Sequence, residues 1–312
     1  MNSISQRDAF WNKVYEMAKE DRNVVVITAD MGAPSLDKFK KDLSSQFVNV
    51  GIAEQNAINL AAGLSLTGKK VFTYAIAPFI TLRCLEQIRV QNAIMEIPIT
   101  IVGVGAGFGY PDSGPTHHIL EDIAILRAMP NIIINNITDS IMASAFGEIS
   151  YNAKKTNYIR LDRQLIPDIY TRKHDFTKGL AILKEGKDFY LIATGSMTHT
   201  ALSIADKLAA KKIQVGVIDV YTFPIKEELF LNTIKGAKKL ISLEEHFLPG
   251  GLGSSVCEIL NDHKILIPVK RIGLPTDKGY EYCYKYGGRE VIREYYGIDD
   301  MSIERKVMEF LK

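Results

Sequence analysis

The sequence predicts an α/β protein made of two doubly wound domains, each a mostly parallel sheet with helices on both faces. Three observations predict it. Short apolar runs of strand length alternate with stretches whose apolar residues recur at helical spacing. The alternation stops once, in the charged segment "QLIPDIYTRKHDFTKG", and then resumes. The 312 residues suit two domains, each large enough for its own core.

The elements follow in order. "AFWNKVYEMAKED" has the spacing of a helix, and "NVVVITAD" is a buried strand ending at Asp30. "QFVNVGIAEQ" reads as strand then turn. A small-residue helix follows over 53–66, and Gly68 stops it. "KVFTYAI" and "PITIVGVG" are strands, and "ITLRCLEQIRVQNAIM" between them predicts one helix. "NIIINNI" is a strand, a helix begins near Asp139, and "NYIRLD" is the next strand. The charged segment, with Pro167, predicts a linker whose boundary falls within 171–177. This divides the chain into a domain of residues 1–172 and a smaller one of residues 173–312. In the second, "DFYLIATG", "QVGVIDV", "KKLISLEEH" and "ILIPVKRIGLP" are strands, and "THTALSIADKLAAKK" is a helix. No low-complexity segment or short-period repeat interrupts them.

Composition excludes several classes. A net charge of +2 gives no electrostatic footprint for nucleic acid or a membrane surface. The first residues, "MNSISQRDAFWNK", lack the apolar stretch of a signal peptide, and the longest apolar runs are too short to span a bilayer. Cys84, Cys257 and Cys283 are few and unpaired in spacing, so they read as reduced thiols. The expected location is the cytoplasm.

In open parallel sheets, ligands bind beyond the carboxyl ends of the strands. The residues just after each apolar run are therefore the candidates: Asp30, Ser35, Glu54, Phe79, the "DSGPTHH" turn and "LDRQ". Glu54 has two readings. It is a solvated acid favoured by the dipole of a helix start, or a partly buried carboxylate poised to share a proton with a ligand nitrogen. Gly51, Ala53, Ala57, Ala61, Ala62 and Gly63 around it are small and would let another backbone or a ligand approach.

In "PDSGPTHHILEDIAILRAMPN", Asp112, Ser113, Gly114 and Pro115 demand a turn, and His117 and His118 follow. One is expected to point inward and the other outward. No Cys or carboxylate lies at zinc-ligand spacing, so no residue is assigned to a metal. Arg160 and Arg163, at the end of a strand, suit bidentate capture of phosphate. The alternative for this strand end is an interdomain ion pair with Asp162 or Asp168.

"VGIAEQN", "AIAPFITLRCLEQIR", "GPTHH-LEDIA-LR--PN" and "LDRQ", in this order, resemble the second half of transketolases and of the related 1-deoxyxylulose-5-phosphate synthases. The likeness continues through "LIATGS", "LEEHFLPGGLGSSVCEIL" and "RIGLPTDKGYEY". It implies a pyrimidine-binding domain, a transketolase C-terminal domain, and thiamine diphosphate as cofactor. By the resemblance, Glu54 bonds N1′ of the aminopyrimidine. It thereby stabilises the imino tautomer whose 4′-nitrogen takes the thiazolium C2 proton. Phe79 stacks on the pyrimidine and Asp30 lies near the thiazolium end. His117 contacts donor-sugar oxygens, and Arg163 binds sugar phosphate, with Arg7 and Ser35 near two further phosphate contacts.

The Gly-Asp-Gly…Asn pattern by which full transketolases hold the diphosphate through magnesium is absent from the sequence. The resemblance thus implies one subunit of a split enzyme, with Mg2+ ligands on a separately encoded N-terminal partner. It also implies self-association to a homodimer or an α2β2 assembly. Two departures bear on the sugars. Ser113 stands where the family has Asp before "GPTH", and Gly105 and Ala106 stand where a basic residue is usual. The expected activity is transfer of a two-carbon ketol unit between sugar phosphates. The alternatives are a deoxyxylulose-phosphate-synthase-like or 2-oxoacid-decarboxylating thiamine enzyme subunit, and a non-catalytic regulatory module. Retention of Glu54, Phe79, His117 and Arg163 together argues against the last.

Overall fold

The computed structural model describes residues 4–281 and 285–312, so Cys283 lies outside the described residues. The chain opens with α1 (Gln6–Glu20), whose start is fixed by Ser5: its Oγ accepts from the Asp8 amide at 3.1 Å. Then come β1 (Val24–Thr28), α2 (Pro34–Asp42), β2 (Phe47–Asn49), α3 (Glu54–Leu66) and β3 (Lys70–Ile76). After α4 (Ala77–Ile80) and α5 (Leu85–Gln87) the chain continues through β4 (Thr100–Val104), α6 (Asp122–Arg127), β5 (Ile132–Asn136), α7 (Ser140–Tyr151) and β6 (Thr156–Leu161). The second half contributes β7 (Leu180–Lys184), β8 (Phe189–Ala193), α8 (Met197–Ala210), β9 (Gly216–Val220) and β10 (Thr222–Phe223). It ends with α9 (Glu227–Thr233), β11 (Lys239–Phe247), α10 (Leu252–Asp262), β12 (Val269–Leu274), α11 (Arg289–Tyr296) and α12 (Asp300–Leu311).

Two mostly parallel sheets result. The first runs β10-β5-β6-β4-β3-β1-β2, the second β12-β11-β8-β9-β7. β1 to β6 are mutually parallel, while β10 and β7 join antiparallel edges. β1, β4 and β6 are buried along their whole length, as strands covered by helices on both faces must be. In the first sheet the order reverses between β1 and β3, so a crevice opens beyond their carboxyl ends.

The fold differs from expectation at three places. β10, from the second half of the chain, completes the first sheet: Thr222 and Phe223 pair with Asn135 and Ile134. Strand β7 and helices α2, α6, α9, α10, α11 and α12 are additional. The single helix expected between β3 and β4 is broken. The Thr81 hydroxyl donates back to the Ala77 carbonyl at 2.6 Å, an alternative to the helical ladder, and α4 ends there. After α5 the coil widens into a π-helical turn, Ile88–Ile94. Such turns are rare and often mark functional sites.

The two halves share a core. One apolar cluster includes Ile101 and Ile134 of the first sheet, Phe223 of β10, and Ile192 and Leu240 of the second sheet.

Candidate functional site

The crevice is built from the loops after β1, β2 and β3. The Asn49 side chain ties the first two together. Its Oδ1 accepts from the amides of Asp30, at 2.9 Å, and Gly51, at 3.0 Å, and its Nδ2 donates to Asp30 Oδ1 at 3.2 Å. Asp30 is exposed and in the left-handed region, φ 53°. The turn it helps fix delivers Glu54 to the first position of α3.

A helix-start acid normally faces water, but Glu54 is only 3% exposed. Buried Ala57, Ala61 and Ala62 lie on its own helix. Its Oε2 accepts from Arg83 Nη1 at 2.7 Å, and among the described residues Oε1 accepts no hydrogen bond. Cys84 lies close by; burial pushes its thiol up to about 12, and the Glu54 charge adds to the rise. The niche is thus apolar apart from one carboxylate and one guanidinium.

Phe79 enters from the end of β3 on α4 and is half-buried. The Arg83 guanidinium carbon lies 4.3 Å from its ring centroid. The ring of His117 meets Phe79 edge to face with centroids 5.1 Å apart. The turn expected at 112–115 delivers this histidine: its amide donates to the Gly114 carbonyl at 3.1 Å. Thr116 Oγ1 lies 3.0 Å from His117 Nδ1, and among the described residues Nε2 has no partner. His118 is turned inward instead. It is buried, and its Nε2 donates to the Tyr110 carbonyl at 2.9 Å. Burial lowers its pKa, so it stays neutral.

Tyr110 links the rest. Its ring centroid is 6.1 Å from that of His117, and the Arg163 guanidinium carbon lies 4.6 Å above it. Burial raises the pKa of its hydroxyl, while Arg163 and Arg7 both oppose the rise, so the two guanidinium groups flank one tyrosine. Arg7 also pairs with Asp8 at 3.2 Å, and buried Ser35 donates to the Asp8 carbonyl at 3.3 Å. Arg7, Ser35 and Arg163 therefore share one neighbourhood.

Gly105 explains how Tyr110 fits. Gly105 has φ +98°, and a Cβ there would sit 2.3 Å from two Tyr110 ring carbons. The aromatic ring fills the space above Gly105.

Arg160 is corrected. It is buried, donates from Nε to Asp122 at 2.8 Å and from Nη2 to the Ile119 carbonyl at 2.9 Å, and is not open to a ligand. The ion-pair alternative for Arg163 also fails among the described residues. Asp162 is taken by Arg289 at 2.7 Å, and Asp168 accepts from Ser140 Oγ at 2.7 Å.

The second half of the chain shapes the site from behind. Glu245, at the end of β11, accepts from the Phe108 amide at 2.7 Å and from Arg289 Nη2 at 2.7 Å. A Cβ on Gly107 would lie 2.1 Å from Glu245 Oε1, so this loop carries glycine there. The end of the strand expected at "KKLISLEEH" thus serves as a brace. Sequence reasoning missed Arg83, Tyr110, Asn49 and Arg289. Arg83 alone carried a signal, four residues after Phe79 in "PFITLR".

A buried carboxylate with one oxygen free, beside a half-buried phenyl ring, suits a flat heteroaromatic ring that bonds through a ring nitrogen and stacks on one face. The thiamine pyrimidine is of that kind, so these residues fit it. Among the described residues, no three His, Cys, Asp or Glu side chains gather as metal ligands. No described helix is long and apolar enough to cross a membrane.

Comparison with known proteins identifies both halves of the chain. Residues 2–168 match the model of the transketolase pyrimidine-binding domain, and residues 179–303 that of the transketolase C-terminal domain. The chain is 34% identical to one subunit of the apulose-4-phosphate transketolase of Phocaeicola vulgatus, covering all of this chain and 99% of that one. It is 31% identical to a 6-deoxy-6-sulfo-D-fructose transketolase subunit of a Clostridium species, covering 97% of this chain and 93% of the other. Among solved structures, a split-gene transketolase described as an inactive β4 tetramer superposes with a TM-score of 0.87 at 31% identity, covering 98% of both chains.

Proposed function

The chain belongs to the transketolase family, and we propose that it is the C-terminal subunit of a two-component enzyme that moves a two-carbon ketol unit between sugar phosphates. The observation that carries the reading is the run of side chains from Glu54 through Phe79 and His117 to Arg163. It begins at a buried carboxylate and ends at the exposed Arg163. Near-complete coverage of subunits named for apulose-4-phosphate and sulfofructose supports a phosphorylated or sulfonated sugar as substrate.

Thiamine diphosphate, when bound, would supply a nucleophilic thiazolium carbon for ketose chemistry. Glu54 would accept a hydrogen bond from the protonated pyrimidine N1′, a bond that its burial strengthens. Phe79 holds the ring, and Asp30 stands at the thiazolium end. His117, with Nε2 free, meets the donor hydroxyls and moves a proton there. Arg163, Arg7 and Ser35 hold the anionic end of the sugar.

The diphosphate and Mg2+ belong to a separately encoded N-terminal subunit, a reading supported by near-complete coverage of relatives that are themselves named as transketolase subunits. The inactive β4 tetramer of the solved relative supports both that requirement and self-association. We place the domain junction at residues 172–173 and the enzyme in the cytoplasm.

The test is reconstitution with the partner subunit, thiamine diphosphate and Mg2+, followed by C2 hydrogen–deuterium exchange in the wild type and in Glu54→Gln. Gln keeps the hydrogen-bonding size but not the charge, so exchange and ketol transfer should nearly vanish with the fold intact. Equal exchange rates would overturn the reading.

A further inference from the structure

Glu54 and Phe79 already hold a planar cation. Arg83 Nη1 donates to Glu54 Oε2 at 2.7 Å, and the guanidinium carbon stands 4.3 Å from the Phe79 ring centroid. One carboxylate bond plus one aromatic face is also what a protonated aminopyrimidine would use. A ring lying on Phe79 and bonded to Glu54 needs the place the guanidinium fills. On the face of Phe79 that Arg83 covers, the two occupants would exclude each other.

We propose that Arg83 is a residue of the cofactor site: its side chain holds the pyrimidine seat in the free chain and leaves when the ring enters. The proposal rests on the thiamine reading above. Three features make the exchange physically simple. Glu54 is 3% exposed, and a buried carboxylate without a counter-charge is costly, so something must neutralise it before the cofactor does. The Arg83 side chain is 43% exposed, so its charged end has a route to water while its stem stays put. Its backbone is held, because Gln55 Nε2 donates to the Arg83 carbonyl at 3.1 Å. Only the side chain has to move.

The cofactor then binds against a competitor built into the chain, and the affinity measured for the wild type is reduced by the stability of that contact. The arrangement keeps the small-residue niche from collapsing or taking up another cation while the subunit waits for its partner.

The test uses this chain reconstituted with its N-terminal subunit and reads thiamine diphosphate binding, with Mg2+, by calorimetry. Arg83→Ala should tighten binding about tenfold, equivalent to about 1.4 kcal/mol. Without cofactor the variant should melt earlier than wild type, and cofactor should raise its melting temperature by more. Arg83→Gln, which keeps the length without the charge, should shift binding in the same direction and serves if the alanine variant does not fold. In a Glu54→Gln background the effect of Arg83→Ala should shrink, since the contact it relieves is already weakened. Unchanged or weaker binding in Arg83→Ala and Arg83→Gln would overturn the proposal. No binding by the wild-type complex would instead overturn the thiamine reading beneath it.

Discussion

Arg289 of α11 and Asp162, just after β6, meet at 2.7 Å with side chains only 3% and 2% exposed. The same guanidinium bonds Glu245, which also holds the Phe108 amide. One arginine thus ties the second half of the chain to the loop that carries Tyr110. Arg289→Ala leaves two buried carboxylates short of their counter-charge. It should cost about 3–5 kcal/mol of stability, read in denaturant unfolding. A loss below about 1 kcal/mol would mean that Arg293, which also bonds Glu245, neutralises that carboxylate unaided and that the Asp162 contact contributes little.

Arg163→Ala should raise the KM for phosphorylated sugars and leave kcat nearly unchanged. A clamp on a remote anion acts alike in ground and transition states. The expected loss is about 1.5–3 kcal/mol, the range for hydrogen bonds to charged groups. Steady-state kinetics of the reconstituted complex decides it, and an unaltered KM would remove Arg163 from the substrate site.

Gly105→Ala should distort the site rather than unfold the protein. The new methyl meets the Tyr110 ring at 2.3 Å, in a backbone conformation with φ +98°. Overpacking of this kind costs about 1–3 kcal/mol. Displacing Tyr110 also removes the platform under Arg163, so KM should rise with it. Tyr110→Ala in the same chain should recover part of the stability and none of the affinity.

The buried Asp219 carboxyl gives a pH signature. Thr138, Tyr170 and Thr198 donate to it at 2.7, 2.8 and 2.8 Å. Burial nonetheless raises its pKa to about 7. These partners are hydroxyls that can turn and accept, so a protonated Asp219 is accommodated. The folded chain holds this proton after the unfolded chain has released it near 3.8. Its stabilising effect is therefore complete below that pH and is lost as pH rises to about 7. Asp219→Asn should remove this share of the decline between pH 4 and pH 7, seen by comparing melting temperatures of both proteins across that range.

The isolated chain should self-associate. Ile52, in the turn before α3, and Leu66, its last residue, are 78% and 70% exposed, and Ile94 and Met95, on and just after the π-helical turn, 60% and 56%. A side-chain bond between Gln91 and Asn59 joins the two elements. Obligate interfaces of this type bury more than about 2,000 Å². Light scattering at micromolar concentration should show at least a dimer, and Met95→Lys should shift it toward monomer.

Most of the fold was legible because buried parallel strands announce themselves as apolar runs, as "VVVIT" and "NIIINNI" do. Glu54 was legible as a position, with a solvated and a partly buried reading both open, because helix-start acids are common and burial is decided by loops far away in sequence. β10 could not be read: two residues make no period, and their partners lie in another half of the chain. The Arg160 correction has the same origin. Strand position placed it at the sheet edge, but Asp122, its partner, is separated from it by two intervening elements. Arg289 follows two glycines in a polar stretch and looks like a surface residue until the fold closes over it.

Consider the nascent chain. The first sheet is left with β5 as a bare edge until Thr222 and Phe223 have been synthesised and have cleared the ribosome. At about 5–20 residues per second that interval is on the order of ten seconds. An unpaired edge during that time invites pairing with another nascent chain. Translation pauses between β5 and β10 would lengthen this exposure, and only the later half of the polypeptide ends it.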